Sequence, residues 1–393
     1  MKILLINDYG TATGGAELML LGLREGLRRQ GHDARLFASS ARPGPGPSSA
    51  DYECVGTTTR FRTLLQTANP WAYRRLRRVL AEFRPDVVHA HIFLTQLSPL
   101  ILPLLRDVPS IYHAVWYRAI CPIGTKTLPD GAPCRTPAGA VCYRQGCLPL
   151  RDWAPLMVQM ALWRRWRHVF DLVVANGEAV RSRLVAEGIR PITMVPNGVP
   201  IRPPRPPLTP PPVVAFAGRL IRKKGADVLV RAFATVVAQV PRARLLLAGH
   251  GSERGPLERL VAALGLSSHV SMLGHLPRPE LERRFDAAWV QVVPSRYAEP
   301  FGLVAAEAMV RGTAVVASRA GELPEIVRDG WTGLLVPPED PDALAGALLR
   351  LLRDRDQAER MGRGGREVAL ARFTEAAHVD RMLELYRTVC PRR

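Results

Sequence analysis

Short apolar runs recur along this chain, and between them apolar positions return every three or four residues. The first run, Met1-Lys-Ile-Leu-Leu-Ile-Asn7, predicts a strand ending at Asp8-Tyr9, and the positions Leu18, Leu21 and Leu27 predict a helix running to Gly31. Further strands are predicted at Asp33 to Ala38, Pro85 to His91, Ser110 to His113, Asp171 to Asn176 and Ile192 to Val195. The second half repeats the pattern near Val213, at Arg244 to Gly249, Val270 to Leu273, Trp289 to Val293, Ala314 to Ala317 and Gly333 to Val336, with helices between. Such alternation predicts an α/β protein with parallel, doubly wound sheets. A terminal helix is predicted from Arg372-Phe373 to Arg387.

Length and punctuation divide this pattern. A chain of 393 residues is long for one core and suits two domains of about 200 residues each. Between Pro200 and Pro212, eight of thirteen residues are proline, which predicts a stiff, extended linker. The expected divisions are therefore a domain over 1–199, a linker over 200–212, a second domain over 213–371 and a final helix over 372–393. Ala41 to Ala50, rich in Pro, Gly and Ser, predicts a surface loop.

Composition narrows the partners. Apolar residues make up 47% of the chain and no run of about 18 of them exists, so a soluble protein without a membrane span is expected. The apolar stretch at the N-terminus is too short for a signal-peptide core, which makes a cytoplasmic location the expectation. The net charge is +19, from 54 Lys and Arg against 35 Asp and Glu, and such an excess attracts polyanions. Trp71 to Phe83 carries Arg74, Arg75, Arg77 and Arg78 beside Trp71, Tyr73, Leu76, Val79 and Leu80. This is a basic amphipathic helix, suited either to packing on its own sheet or to lying on an anionic membrane face, where each basic residue contributes about 1 kcal/mol. A nucleic-acid binder driven by charge alone is disfavoured, because it needs no glutamates at strand ends.

Such glutamates occur in Val293-Pro-Ser-Arg-Tyr-Ala-Glu-Pro-Phe-Gly-Leu-Val-Ala-Ala-Glu-Ala-Met309. The stretch predicts a buried strand, a tight loop and a helix whose first turn holds Pro300, Phe301 and Gly302. The backbone N–H groups of Phe301, Gly302 and Leu303 would then face an anion at the helix N-terminus. Glu299 and Glu307 bracket that site; a helical interval of eight residues spans about 12 Å. That separation is too wide for a glycosidase pair but suits a ligand with a diol, a diphosphate and a hydroxylated group, as in a nucleotide-sugar. Arg219 and Lys224 follow the strand near Val213, and a planar fork beside a point charge is a fitting clamp for a diphosphate.

Gly218-Arg219-Leu220 with Lys224-Gly225, then Glu299-Pro-Phe-Gly-Leu with Glu307, Gly321-Glu-Leu-Pro-Glu-Ile-Val327 and Gly330-Trp-Thr-Gly-Leu-Leu-Val336 resemble the donor-binding half of the retaining glycosyltransferases of family 4. The resemblance spans nearly the whole chain. It implies the GT-B fold, two Rossmann-like domains facing each other across a cleft, with the last helix crossing back to the first domain. It implies a nucleotide-sugar donor, UDP- or GDP-linked, a hydroxyl acceptor on a glycan, a lipid-linked glycan or a small molecule, and no required metal cofactor. On the same basis Arg219, Lys224 and Gly15 would hold the donor diphosphate with the Phe301, Gly302 and Leu303 amides. Glu307 would take the ribose, and Gly274, His275 and Leu276 the nucleobase. His113 and Glu299 would be catalytic at the sugar, and Gly14 and Glu17 would face the acceptor. Family members commonly carry a His-Asp pair at the position of His113; here Ala114 follows, so a carboxylate orienting the imidazole is missing. A sugar-nucleotide epimerase of the same fold remains the alternative.

Two groups stand apart. His89 and His91 alternate with apolar residues, which suits hydrogen-bonded core histidines. Cys121, Cys134, Cys142 and Cys147 lie close in sequence and are read either as free thiols or as ligands of a structural zinc, although their spacing lacks the usual C-x2–4-C first pair.

Overall fold

The computed structural model describes residues 1–12, 14–44 and 46–390; Thr13 of the predicted glycine loop, Pro45 of the predicted surface loop and residues 391–393 of the final stretch lie outside them. Thirteen strands form among the described residues: β1 Lys2–Tyr9, β2 Asp33–Ser39, β3 Tyr52–Cys54, β4 Val87–Ala90, β5 Ser110–Ala114, β6 Leu172–Ala175, β7 Ile192–Met194, β8 Val213–Ala217, β9 Arg244–Ala248, β10 Val270–Gly274, β11 Ala288–Val293, β12 Ala314–Ser318 and β13 Gly333–Val336. They build two parallel sheets, in the orders β3-β2-β1-β4-β5-β6-β7 and β10-β9-β8-β11-β12-β13. Each order reverses beside its own first strand, the topology of a doubly wound α/β sheet. Every residue of β4, β5, β11 and β12 is buried, because helices cover both faces of a parallel sheet; hence the near-continuous apolar runs in the sequence. β3 escaped the periodicity reading because three residues are too few to show a period of two.

The chain divides into two compact units, one of Met1–Gly198 with Glu375–Arg393 and one of Val199–Thr374. In the first, helix Glu375–Val389 buries Val379, Met382, Leu383 and Tyr386. It comes close to helix Gly15–Arg29 at Gly26, where an added side-chain carbon would lie 2.5 Å from a Val379 methyl. The Tyr386 hydroxyl meets His89 Nδ1 at 2.6 Å, and Asn7 Oδ1 meets His91 Nδ1 at 3.0 Å, so both histidines are hydrogen-bonded core residues.

Two expectations change. The predicted terminal helix does not start at Arg372: helix Arg355–Arg372 ends there, and a new helix begins at Glu375. The break falls where Phe373 enters the apolar cluster of the second unit, edge-on to Phe301 at 5.6 Å. The proline-rich segment is not a free spacer either. Arg205 pairs with Glu359 at 3.1 Å, the Leu208 N–H donates to the same carboxylate at 2.7 Å, and Trp289 Nε1 donates to the Thr209 carbonyl at 3.1 Å. With Leu208 in the core of the second unit, polyproline stiffness serves to dock an extended strap.

Candidate functional site

In the second sheet β8 and β11 are neighbours whose following helices leave on opposite faces, so their C-terminal loops part and leave a crevice, the usual ligand position in such sheets. β8 leads through Gly218 and Arg219 to a 3-10 turn Arg222–Lys224, then helix Ala226–Gln239. β11 leads through Pro294–Phe301 to helix Leu303–Val310.

Glycines let these loops touch. Gly225 has φ +69°, and a side-chain carbon there would lie 1.9 Å from the Pro294 carbonyl oxygen. Gly249 stands in the same relation to Gly218 at 1.8 Å, and Gly321 to the Glu299 backbone oxygen at 2.2 Å. This explains the Gly321-Glu-Leu-Pro stretch physically: the Glu322 N–H donates to the Glu299 carbonyl at 2.9 Å and fixes the loop carrying that glutamate. Gly225→Ala is expected to lower unfolding free energy by about 2 to 4 kcal/mol, from left-handed backbone strain plus the clash. An unchanged urea midpoint would contradict that account.

Glu299 is 4% exposed and accepts three hydrogen bonds: from Lys224 Nζ at 2.6 Å, from the Ser295 hydroxyl, and from the Tyr297 hydroxyl at 2.8 Å. Burial pushes its carboxyl up, but the Lys224 ammonium and the two hydroxyls outweigh it and hold the pKa below the usual range. Glu299 thus orients Lys224, whose ammonium also lies 5.3 Å from the Tyr297 ring. A carboxylate has about four acceptor positions, so three donors leave Glu299 one for a ligand hydroxyl. Arg296 ties the two loops together, with Asp227 at 2.6 Å and Glu339 at 2.7 Å.

Arg219 is exposed, and its side chain makes no hydrogen bond or ion pair among the described residues, while its carbonyl accepts from the Ile221 N–H at 2.9 Å. The helix after β11 starts later than expected. Gly302, at φ +108°, is its N-cap, and Pro300 lies outside it, so the Glu299–Glu307 interval is only half helical. A glycine in the left-handed region cannot continue a helix begun at Pro300. The N–H groups of Phe301, Gly302 and Leu303 donate to no acceptor among the described residues. Glu307, about one turn into the helix, is bound by Arg278, which also holds Glu282 at 3.2 Å. Its crowded surroundings raise the Glu307 carboxyl against the pull of Arg278. At the end of β10, Gly274 has φ +69° and its carbonyl accepts from Gly249 N–H at 2.7 Å, while the exposed His275 ring stands edge-on to His250 at 5.5 Å. Leu276, in the turn before helix Arg278–Phe285, is partly exposed.

In the first unit Gly14 caps helix Gly15–Arg29, and a Glu17 carboxylate oxygen lies 2.9 Å from where a Gly14 side chain would start. His113 is fully buried. Its ring lies 5.4 Å from His89, 5.5 Å from His91 and stacks on His378 at 5.8 Å, and neither ring nitrogen has a partner among the described residues. Its surroundings are thus three other imidazoles, with no surface open to solvent.

Sequence reasoning missed Ser295, Tyr297 and Arg278. The hydroxyls were visible as residues four and two positions before Glu299; Arg278, on another helix, gave no local signal. The zinc expectation finds no support: all six cysteines are free thiols, burial raises the Cys142 and Cys147 thiols, and no metal-binding group of three or more His, Cys, Asp or Glu occurs among the described residues.

Known proteins agree with this architecture. Residues 13–202 match the model of "Glycosyltransferase Family 4", and residues 201–368 that of "Glycosyl transferases group 1". A D-inositol 3-phosphate glycosyltransferase of Corynebacterium aurimucosum is 30% identical, over 95% of this chain and 90% of its own. The sucrose-phosphate synthase of Thermosynechococcus elongatus superposes with TM-score 0.77 at 27% identity, covering 99% of each chain. An Anabaena protein, HepE, solved with UDP and glucose, shares the fold at TM-score 0.71 and 22% identity, covering 99% of this chain and 100% of that one. With two doubly wound units and a 30% identical relative along 95% of its length that is a glycosyltransferase, the chain belongs to the family 4 glycosyltransferases of GT-B fold.

Proposed function

We propose that this glycosyltransferase moves a hexose from a UDP-sugar to an acceptor hydroxyl with retention of anomeric configuration and without a metal ion. The observation carrying this is the group at the β8/β11 switch point: unpartnered amides of Phe301, Gly302 and Leu303, an exposed Arg219, and Lys224 held by Glu299. As the glycosidic bond breaks, negative charge grows on the leaving diphosphate, and fixed cations and amides stabilise that charge more than the ground state. These groups supply the positive charge a divalent cation would otherwise bring. Glu307, oriented by Arg278, takes the ribose hydroxyls, and the last acceptor position of Glu299 takes a sugar hydroxyl. Gly274, His275 and Leu276 meet the base. His113, Gly14, Gly15 and Glu17 enter this reading through the family resemblance, and His113 needs its surroundings to open before it can touch a sugar.

UDP is the first nucleotide to test because HepE, of the same fold, is solved with it. D-inositol 3-phosphate is the first acceptor, from the name of the Corynebacterium relative. A donor present at 100 times its dissociation constant should stabilise the chain by about 2.7 kcal/mol, readable as a thermal shift among UDP-, GDP- and dTDP-sugars. NMR of the product then reads the anomer. Turnover abolished by EDTA, or an inverted product, would refute the mechanism; nucleotide release independent of acceptor would favour the epimerase. No helix among the described residues is long and apolar enough to cross a membrane. Peripheral contact with an anionic, cytoplasmic membrane face is supported by helix Pro70–Phe83, which buries Ala72, Leu76, Val79 and Phe83 and leaves Trp71, Arg74, Arg77 and Arg78 exposed.

A further inference from the structure

The second unit holds a cavity of about 550 Å³ at the end of its sheet opposite the β8/β11 switch point. Three segments wall it: the docked strap around Arg205, which precedes β8; Arg311-Gly312, which precedes β12; and one face of helix Arg355–Arg372. The first two lead into the N-terminal ends of β8 and β12, whereas the donor groups follow the C-terminal ends of β8 and β11. A strand of five or six residues separates the two places by about 15 to 20 Å.

Its lining is strongly cationic. Arg205, Arg311, Arg355, Arg360, Arg363 and Arg366 face Asp356 and Glu359, an excess of four positive charges. Only part of this is neutralised within the protein. Arg205 is paired with Glu359, and Arg311 with Asp286. Arg366 spends its hydrogen bonds on the carbonyls of Arg202 and Val310, which orient the guanidinium without cancelling its charge. Arg355 and Arg360 have carboxylates no nearer than 3.9 Å, across solvated pairs that contribute little. The Arg363 side chain makes no hydrogen bond or ion pair among the described residues, though its charge helps keep Glu359 ionised.

An arginine-rich composition by itself would scatter such residues over solvated faces. Two features here differ from that. Arg205, on the cavity wall, is only 7% exposed, so its charge is held there by the strap rather than solvated. Arg360, Arg363 and Arg366 follow one another at intervals of three on one helix, where like charges repel by a few tenths of a kcal/mol per pair. An anion among them offsets this unbalanced charge.

We propose that this cavity is a second anion site, separate from the donor site, which binds a small phosphorylated ligand carrying at least two negative charges. The volume suits a small molecule, and guanidinium forks match phosphate oxygens in pairs. Pyrophosphate in solution and a phosphomonoester lipid headgroup present the same chemistry, and the test separates them.

Isothermal titration of the full chain with inorganic pyrophosphate, at about 0.15 M salt and with saturating UDP, should show one site. Arg360→Glu with Arg363→Glu should weaken it by about tenfold or more. Both side chains are exposed, so an unchanged melting temperature should confirm that the fold is intact. Binding of vesicles containing phosphatidic acid, weakened by the same pair in the absence of pyrophosphate binding, would assign the site to a headgroup. The control Arg144→Glu with Arg151→Glu, at exposed positions outside both the cavity and helix Pro70–Phe83, makes an equal change of net charge elsewhere. If it weakens binding equally, or if R360E/R363E changes neither pyrophosphate nor vesicle binding, the proposal is overturned. A failure of UDP to bind would tell against the proposed donor and leave the comparison of these variants readable.

Discussion

Lys224→Ala is expected to lower the rate of sugar transfer by about 100- to 1000-fold, the usual cost of deleting one donor aimed at developing charge. The structure adds a second effect. Lys224 is the only cation within ion-pair distance of Glu299 among the described residues, so its removal leaves a nearly buried carboxylate held by two hydroxyls alone. Losing one partner of such a pair costs about 1 to 3 kcal/mol of stability, because the remaining charge stays desolvated. Transfer rate and stability therefore fall together in the single variant, and the double variant separates them. Adding Glu299→Gln removes the orphaned charge while keeping acceptors for the hydroxyls. Stability should recover and turnover should not. Turnover that returns with stability would show that Lys224 only supports the loop.

Between pH 6.5 and 5 the unfolding free energy should fall steeply, as read from urea midpoints across that range. His89, His91, His113 and His378 are all buried, and burial first, then neighbouring charges, lowers each imidazole pKa, for His378 to about 4. In the unfolded chain each binds a proton near pH 6.5. Between the two values the unfolded state holds more protons, so the stability these groups confer is complete above pH 6.5 and drains away as pH falls. Each group contributes about 1.4 kcal/mol per pH unit inside its window. Four in register approach about 5 kcal/mol per unit, comparable with the whole stability of many domains. Only His89 and His91 have side-chain partners, Tyr386 and Asn7, while His378 meets the Pro196 carbonyl at 2.8 Å. A flat profile down to pH 5 would mean that the cluster is open to water.

The family and the strand-end loops of the second unit were legible because their signals are local. Glycines at forced backbone positions, a glutamate after a buried strand and cations after another all sit within a few residues of the strand that presents them. Reading Pro300 as the helix start failed for a local reason as well: the proline is compatible with that role, but Gly302 takes the left-handed conformation first. The proline run was read as a linker because composition reports stiffness, and it cannot report that Leu208 finds an apolar core or that Arg205 finds Glu359.

By itself the sequence determined the two parallel sheets and their strand positions other than β3, since burial on both faces and turn chemistry are written in neighbouring residues. Only the tertiary structure decided which charges meet. Lys224 with Glu299 bridges 75 positions, the histidine cluster draws His378 to His89 across 289 positions, and the arginine cavity gathers three distant segments. Electrostatic energy depends on distance in space and on burial, and neither can be read from spacing along a chain once the intervals exceed a helical turn or a strand.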